Sequence, residues 1–173
     1  MRLFIAIDLP DEVKADLWYL AQRLEHQARH ARVVPLENYH LTCLFLGEVS
    51  QVDVAREALH SVRPPDTPIK LVFDGIGSFK KQRDYTWWVG VKKTNELKEL
   101  VDELTARYRA AGFSLESRSF KPHITLARRV RTERLIELEA PLQTVLADRL
   151  SLMRSTSEGG HMVYTELDAT QLC

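Results

Sequence analysis

The triplet histidine, apolar residue, threonine occurs twice in this chain, and each copy opens an apolar run. His40-Leu41-Thr42 begins "HLTCLFLG", and His123-Ile124-Thr125 begins "HITLARRV". Both segments have strand character, and along a strand alternate side chains share a face. Strict alternation sets His40 and Thr42 on one face with Leu41, Cys43 and Phe45 on the other, and sets His123 and Thr125 against Ile124 and Leu126. A helix pattern and a hairpin pattern separate the copies, so the chain reads as two similar halves, each presenting an imidazole beside a hydroxyl.

The remaining segments fit around this pair. "LFIAI" at 3–7 predicts a strand, and Pro10 with Asp11 signals a helix start. Val13, Leu17, Leu20, Leu24 and Ala28 lay one apolar stripe on a helix over 11–30. A strand follows at 39–46. Ser50 with Asp53 then resembles a capping box before a helix carrying Val54, Ala58, Leu59 and Val62, which "RPPD" at 63–66 ends. Residues 68–79 and 85–91 alternate as strands about the polar turn "KKQRD". Asn95 is the expected cap of a third helix with Leu97, Leu100, Val101, Leu104 and Tyr108 on one face and Gly112 as its stop. A strand at 121–129 and a hairpin about Glu158-Gly159-Gly160 complete the reading.

Hairpins mixed with unevenly spaced helices predict an α+β fold with antiparallel sheets rather than a doubly wound parallel sheet. At 173 residues and 45% apolar composition, residues 1–173 suit one domain that buries a full core without metals or disulfides. Neither G-x-G-x-x-G nor G-x-x-x-x-G-K occurs, so the common glycine-rich phosphate loops are excluded. Zero formal charge and a pI near 7.0 argue against a protein that coats nucleic acid or membrane electrostatically. Cys43 and Cys173 form neither a disulfide framework nor a zinc finger. The opening apolar run is too short for a secretory leader, and no run spans a bilayer. A soluble cytoplasmic protein without membrane partners is expected.

Two imidazoles facing one another across a cleft can serve as base and acid near neutral pH, and two hydroxyls can hold non-bridging oxygens. That set suits in-line displacement at phosphorus without a metal or other cofactor. A metallohydrolase would need carboxylates at fitting spacing, which the chain lacks around these histidines.

With "RLFIAIDLP", "HLTCLFLGEV", "KPHITLARR" and the closing Tyr164-Thr165-x-Leu167 in this order, the chain resembles the 2H phosphoesterase superfamily. Within it, the resemblance is to the RNA 2′,3′-cyclic phosphodiesterases, also called 2′-5′ RNA ligases. It implies a bilobal fold with pseudo-twofold symmetry and a cleft between two antiparallel sheets. One tetrad would sit on each lobe: His40, Leu41, Thr42 and Cys43 on the first, His123, Ile124, Thr125 and Leu126 on the second. By the same resemblance His40 is the proton donor to the leaving O3′, and His123 is the proton acceptor that activates water. Thr42, Thr125 and Arg128 are the implied substrate-binding residues. The implied partners are RNA ends with a 2′,3′-cyclic phosphate, tRNA fragments or small nucleotides, met by a monomer, with reversible 2′-5′ ligation in the opposite direction. A non-catalytic RNA-binding module that keeps the cleft is the alternative reading.

Other residues are less telling. Strict alternation turns Arg129, not Arg128, toward the histidine face, and a bulge after Thr125 would reverse this. Trp87 and Trp88 face opposite ways, so one of them belongs to the core while the other is available for stacking. Lys80, Lys81 and Arg83 read as a solvated hairpin tip. His26 and His30 stand four apart on the first expected helix with no third ligand evident. Cys43 points away from His40, which makes it a core residue rather than a nucleophile.

Overall fold

The computed structural model describes residues 1–172; Cys173, expected to join no disulfide, lies outside the described residues. Nine strands and three helices follow in the order β1 (Arg2–Asp8), α1 (Asp11–Gln27), β2 (His30–Val33), β3 (His40–Glu48), α2 (Val52–His60), β4 (Ile69–Lys81), β5 (Asp84–Val91), α3 (Asn95–Ala110), β6 (His123–Arg131), β7 (Thr144–Ala147), β8 (Arg149–Glu158) and β9 (His161–Gln171). They form two antiparallel sheets, of order β3-β1-β8-β9 and β2-β6-β5-β4-β7. The fold is α+β. Each sheet carries one of the two histidine strands, β3 in the first and β6 in the second, each paired with a strand whose cleft side bears aromatic residues.

The faces turned away from the histidines bury a common core. Leu3, Ile5 and Ile7 of β1, Leu41 of β3, Leu71 of β4, Ile124 and Leu126 of β6 and Leu150 of β8 join Leu17, Leu59, Leu100 and Leu104 from the three helices. A smaller cluster of Leu24, Ala127, Val130 and Ile136 fills the space beneath α1. Burial of this apolar surface is the main force that assembles the two sheets. The Tyr108 hydroxyl donates to the Ala55 carbonyl at 2.8 Å, which ties α3 to α2 inside this core.

Several local expectations are corrected. The first helix ends at Gln27, because Ala28 turns extended at ψ 152°, and residues 30–33 then pair with β6 as a strand. His26 and His30 therefore do not share a helix face. No capping box forms at Ser50: α2 starts after Gln51, which makes no side-chain cap bond. Thr94, not Asn95, caps α3, with its hydroxyl accepting from the Leu97 amide at 3.3 Å. The Gly112 stop stands, with φ of +92° just past the helix. The strand β7, pairing with β4, had no counterpart in the sequence reading.

Candidate active site

His40 is the first residue of β3, opposite Asp8 on β1, and His123 is the first residue of β6, opposite Gly90 on β5. Both rings are fixed by the same device. His40 Nδ1 lies 2.7 Å from the carbonyl oxygen of Asn38, and His123 Nδ1 lies 2.6 Å from that of Lys121. A carbonyl only accepts, so each Nδ1 carries its hydrogen and each Nε2 is left for chemistry. At His40 the Thr42 hydroxyl lies 2.9 Å from Nε2 and donates to it while the ring is neutral. Asn38 is itself buried and anchored, its side-chain amide donating to the Met162 carbonyl of β9 at 2.8 Å.

Aromatic rings wall both imidazoles. Phe4 of β1 and Tyr164 of β9 lie 5.0 and 5.2 Å from the His40 ring, the tyrosine edge-on at 89°. Phe79 of β4 and Trp88 of β5 lie 5.1 and 5.9 Å from the His123 ring. The Trp88 indole rests over Gly77, where a Cβ would come within 2.2 Å of the ring, so only glycine leaves room for it. Trp87 takes the opposite side, against the smaller core cluster. Lys80, Lys81 and Arg83 are exposed at the β4–β5 tip.

Two β-bulges reshape the faces expected from strict alternation. Thr125 opposes Trp88 and Ala127 opposes Trp87, so Leu126 is an extra residue in β6. The face flips there, and Arg128 rather than Arg129 stands with His123 and Thr125. Arg129 sits in a further irregularity at φ +53°. On β3, Thr42 opposes Ala6 and Leu44 opposes Ile5, which makes Cys43 the extra residue. Phe45, expected to pack away from the histidine, is instead on its face, 61% exposed and 6.2 Å from Phe4. Cys43 is buried in the core, and burial pushes its thiol up to about 12, so it has no nucleophilic character at neutral pH.

The electrostatics join the two strands. Burial pushes the His40 imidazole down to about 4; the Asn38 carbonyl and the Asp8 charge oppose this, and the Arg128 and Lys14 cations add to it. Burial also lowers His123, with the Lys121 carbonyl opposing and Arg128 again adding. One guanidinium thus acts on both imidazoles. One surface hollow, of about 350 Å³, lies away from the histidines along α1 beside Tyr19, Arg23 and His26. The histidine site is an open cleft. Among the described residues, no three histidine, cysteine or acidic side chains are grouped to hold a metal ion, and no helix is long and apolar enough to cross a membrane.

A two-sheet fold with one histidine-threonine strand in each sheet and an arginine acting on both imidazoles defines a two-histidine cleft protein. The chain belongs to the 2′-5′ RNA ligase superfamily, whose family model matches residues 10–159. It is 36% identical to the RNA 2′,3′-cyclic phosphodiesterase of Thermotoga maritima over 90% of this chain and 87% of that one. Among solved structures it is similar to a protein of Thermus thermophilus (TM-score 0.85, 27% identity, 99% and 98% of the two chains). It is also similar to Escherichia coli LigT complexed with 3′-AMP (TM-score 0.80, 28% identity, 99% and 97% covered).

Sequence reading missed Asp8, Lys14, Asn38, Phe45, Phe79 and Tyr164 as neighbours of the site. Asp8 and Phe45 become visible only once β1 and β3 are paired in register.

Proposed function

We propose that this protein opens 2′,3′-cyclic phosphates at RNA ends, by acid-base catalysis on two histidines, to leave a 2′-phosphate and a 3′-hydroxyl. The observation that carries the reading is the shared fixing of both imidazoles: each Nδ1 is held by a backbone carbonyl, each Nε2 is presented, and Arg128 acts on both. Relatives at this level of identity bear the name RNA 2′,3′-cyclic phosphodiesterase, and LigT holds a nucleotide.

The proton inventory closes on these groups. His123 takes a proton from water as its oxygen bonds to phosphorus, the P–O3′ bond breaks, and His40 gives its Nε2 proton to O3′. Solvent then resets both rings. Thr42 and Thr125 donate to the non-bridging oxygens, and Arg128 balances their charge. In the free protein His40 is neutral at pH 7, so its protonation accompanies arrival of the phosphate anion, whose charge favours the imidazolium. As His40 gains that proton, Thr42 no longer needs to donate to Nε2 and its hydroxyl is free to turn to the phosphate. With a 5′-hydroxyl in place of water the same steps run toward a 2′-5′ bond; in dilute solution hydrolysis dominates. The reading includes a cytoplasmic monomer acting on RNA ends, tRNA fragments or small cyclic nucleotides.

The test is an oligonucleotide ending in a 2′,3′-cyclic phosphate, incubated with EDTA, with the product's phosphate position determined. Turnover to a 2′-phosphate is expected, with a loss of about 10²-fold or more in His40→Ala and in His123→Ala. Binding without turnover by the unaltered protein would establish a non-catalytic module instead.

A further inference from the structure

Lys14 is the one charged residue buried in the described chain, at 8% exposed. Its Nζ lies 2.7 Å from the Asp8 carboxylate. Taking an ammonium out of water is costly, and a carboxylate that itself stays half-exposed repays only part of that cost, so its position calls for another explanation. Asp8 supplies one. It is the last residue of β1 and the register partner of His40, and β1 alternation places it on the same face as Phe4 and Ala6, toward the imidazole. Directly opposed residues on one face of an antiparallel pair have Cβ atoms about 5 Å apart. The Asp8 side chain remains 55% exposed, so it lies at the cleft edge while Lys14 holds it from the first turn of α1.

We infer that Asp8 is a positioning residue for the proton on His40, held in place by Lys14, and that this pair sets how readily the proposed acid of the reaction charges. The groups facing His40 are few: Asp8 from β1, Lys14 from α1, Arg128 from β6 and the Tyr164 ring from β9. Asp8 is the only anion among them. It opposes Arg128 and burial, whereas Lys14 restrains it, so the two members of one ion pair act on His40 in opposite directions. Among the described residues His123 faces no such carboxylate, and Arg128 is the only charge acting on it. The asymmetry gives the otherwise similar halves different protonation behaviour, with the acidic neighbour on the side of the proton donor. This inference rests on the assignment of His40 as that donor.

The experiment is an NMR titration of the histidine ring signals in the unaltered protein, Asp8→Asn and Lys14→Met, paired with turnover of the cyclic-phosphate oligonucleotide. The methionine keeps the apolar stem that α1 packs. Asp8→Asn is expected to lower the His40 titration and Lys14→Met to raise it, with His123 unmoved. Turnover at pH 7 should fall in Asp8→Asn by about tenfold for each unit of the downward shift. A purely structural pair would move both variants the same way or move neither, and either result overturns the inference. Opposed NMR shifts with unchanged turnover would uphold the tuning and refute His40 as the acid, so the two readings fail separately.

Discussion

Phe45 of β3 and Arg128 of β6 hold equivalent positions, each five residues beyond its histidine and each carried onto the histidine face by one extra residue in its strand. The two halves thus share a scaffold, bulge included, and differ in the group it delivers: a flat apolar ring on one side, a guanidinium on the other. A substrate with a charged phosphate at one end and a nucleobase at the other meets a cleft that distinguishes its ends.

Arg128→Ala is expected to lower kcat/KM by about 10²-fold, the scale set by removing a charge-stabilising donor from a reacting site. Arg129→Ala should stay within about twofold of the unaltered protein, because the bulge turns it out of the cleft. Steady-state kinetics on both variants check this. Equal losses would place both arginines in the site.

For Phe45→Ala the expected change is a rise in KM of about tenfold on nucleoside 2′,3′-cyclic phosphates, in line with the loss of one base-aromatic stack. Ribose 2′,3′-cyclic phosphate, which has no base, should show almost none of this rise. Phe45→Tyr keeps the ring and should restore KM. An identical change on both substrates would remove Phe45 from base recognition.

Gly77→Ala probes the wall behind His123. Its Cβ would sit 2.2 to 2.8 Å from the Trp88 ring, so the indole must move. Overpacking of this kind costs about 1–3 kcal/mol, and displacement of Trp88 should also disturb the His123 ring it abuts. Urea unfolding together with tryptophan fluorescence and kcat would register all three effects. A variant with unchanged fluorescence and unchanged kcat would mean that Trp88 is not what holds His123.

Stability should fall as pH drops through the histidine range. An unfolded histidine titrates near 6.5, while His40 in the fold is pushed down to about 4. Between those values the unfolded chain binds the extra proton, so stability is complete above pH 6.5 and declines toward 4. For His40 this amounts to about 2 kcal/mol between pH 7.5 and 5. His123 is shifted the same way and adds to it. Urea midpoints across this range should show a shallower decline in His40→Gln, and an identical slope would refute the depressed titration.

The elements that depend on periodic apolar residues were legible from the chain: α1, α3, the β4–β5 and β8–β9 hairpins, and both histidine strands. The four-residue strands β2 and β7 were not, because each takes its identity from the partner strand it joins. The end of α1 passed unseen because Ala28 carries no glycine or proline signal. At the site, the histidines and threonines stood out through repetition. The orientations of Phe45 and Arg128 did not, since Cys43 and Leu126 are ordinary strand residues and nothing in their side chains marks them as bulged. Asp8 and Lys14 escaped notice because their link to His40 runs across β1 and α1, through pairing that only the folded chain establishes.

The carbonyls of Asn38 and Lys121 that hold the two Nδ1 atoms belong to the main chain, two residues before each histidine, and the side chains at those places have nothing in common. Ring orientation in this protein is therefore insulated from point substitution: no single side-chain replacement deletes the acceptor, as it would where an aspartate holds the ring. The proton's address is inherited with the path of the backbone. Drift at 121 can alter what surrounds the cleft while leaving the His123 Nε2 aimed where it was, whereas at 38 the side-chain bond to Met162 also holds the main chain that carries the acceptor.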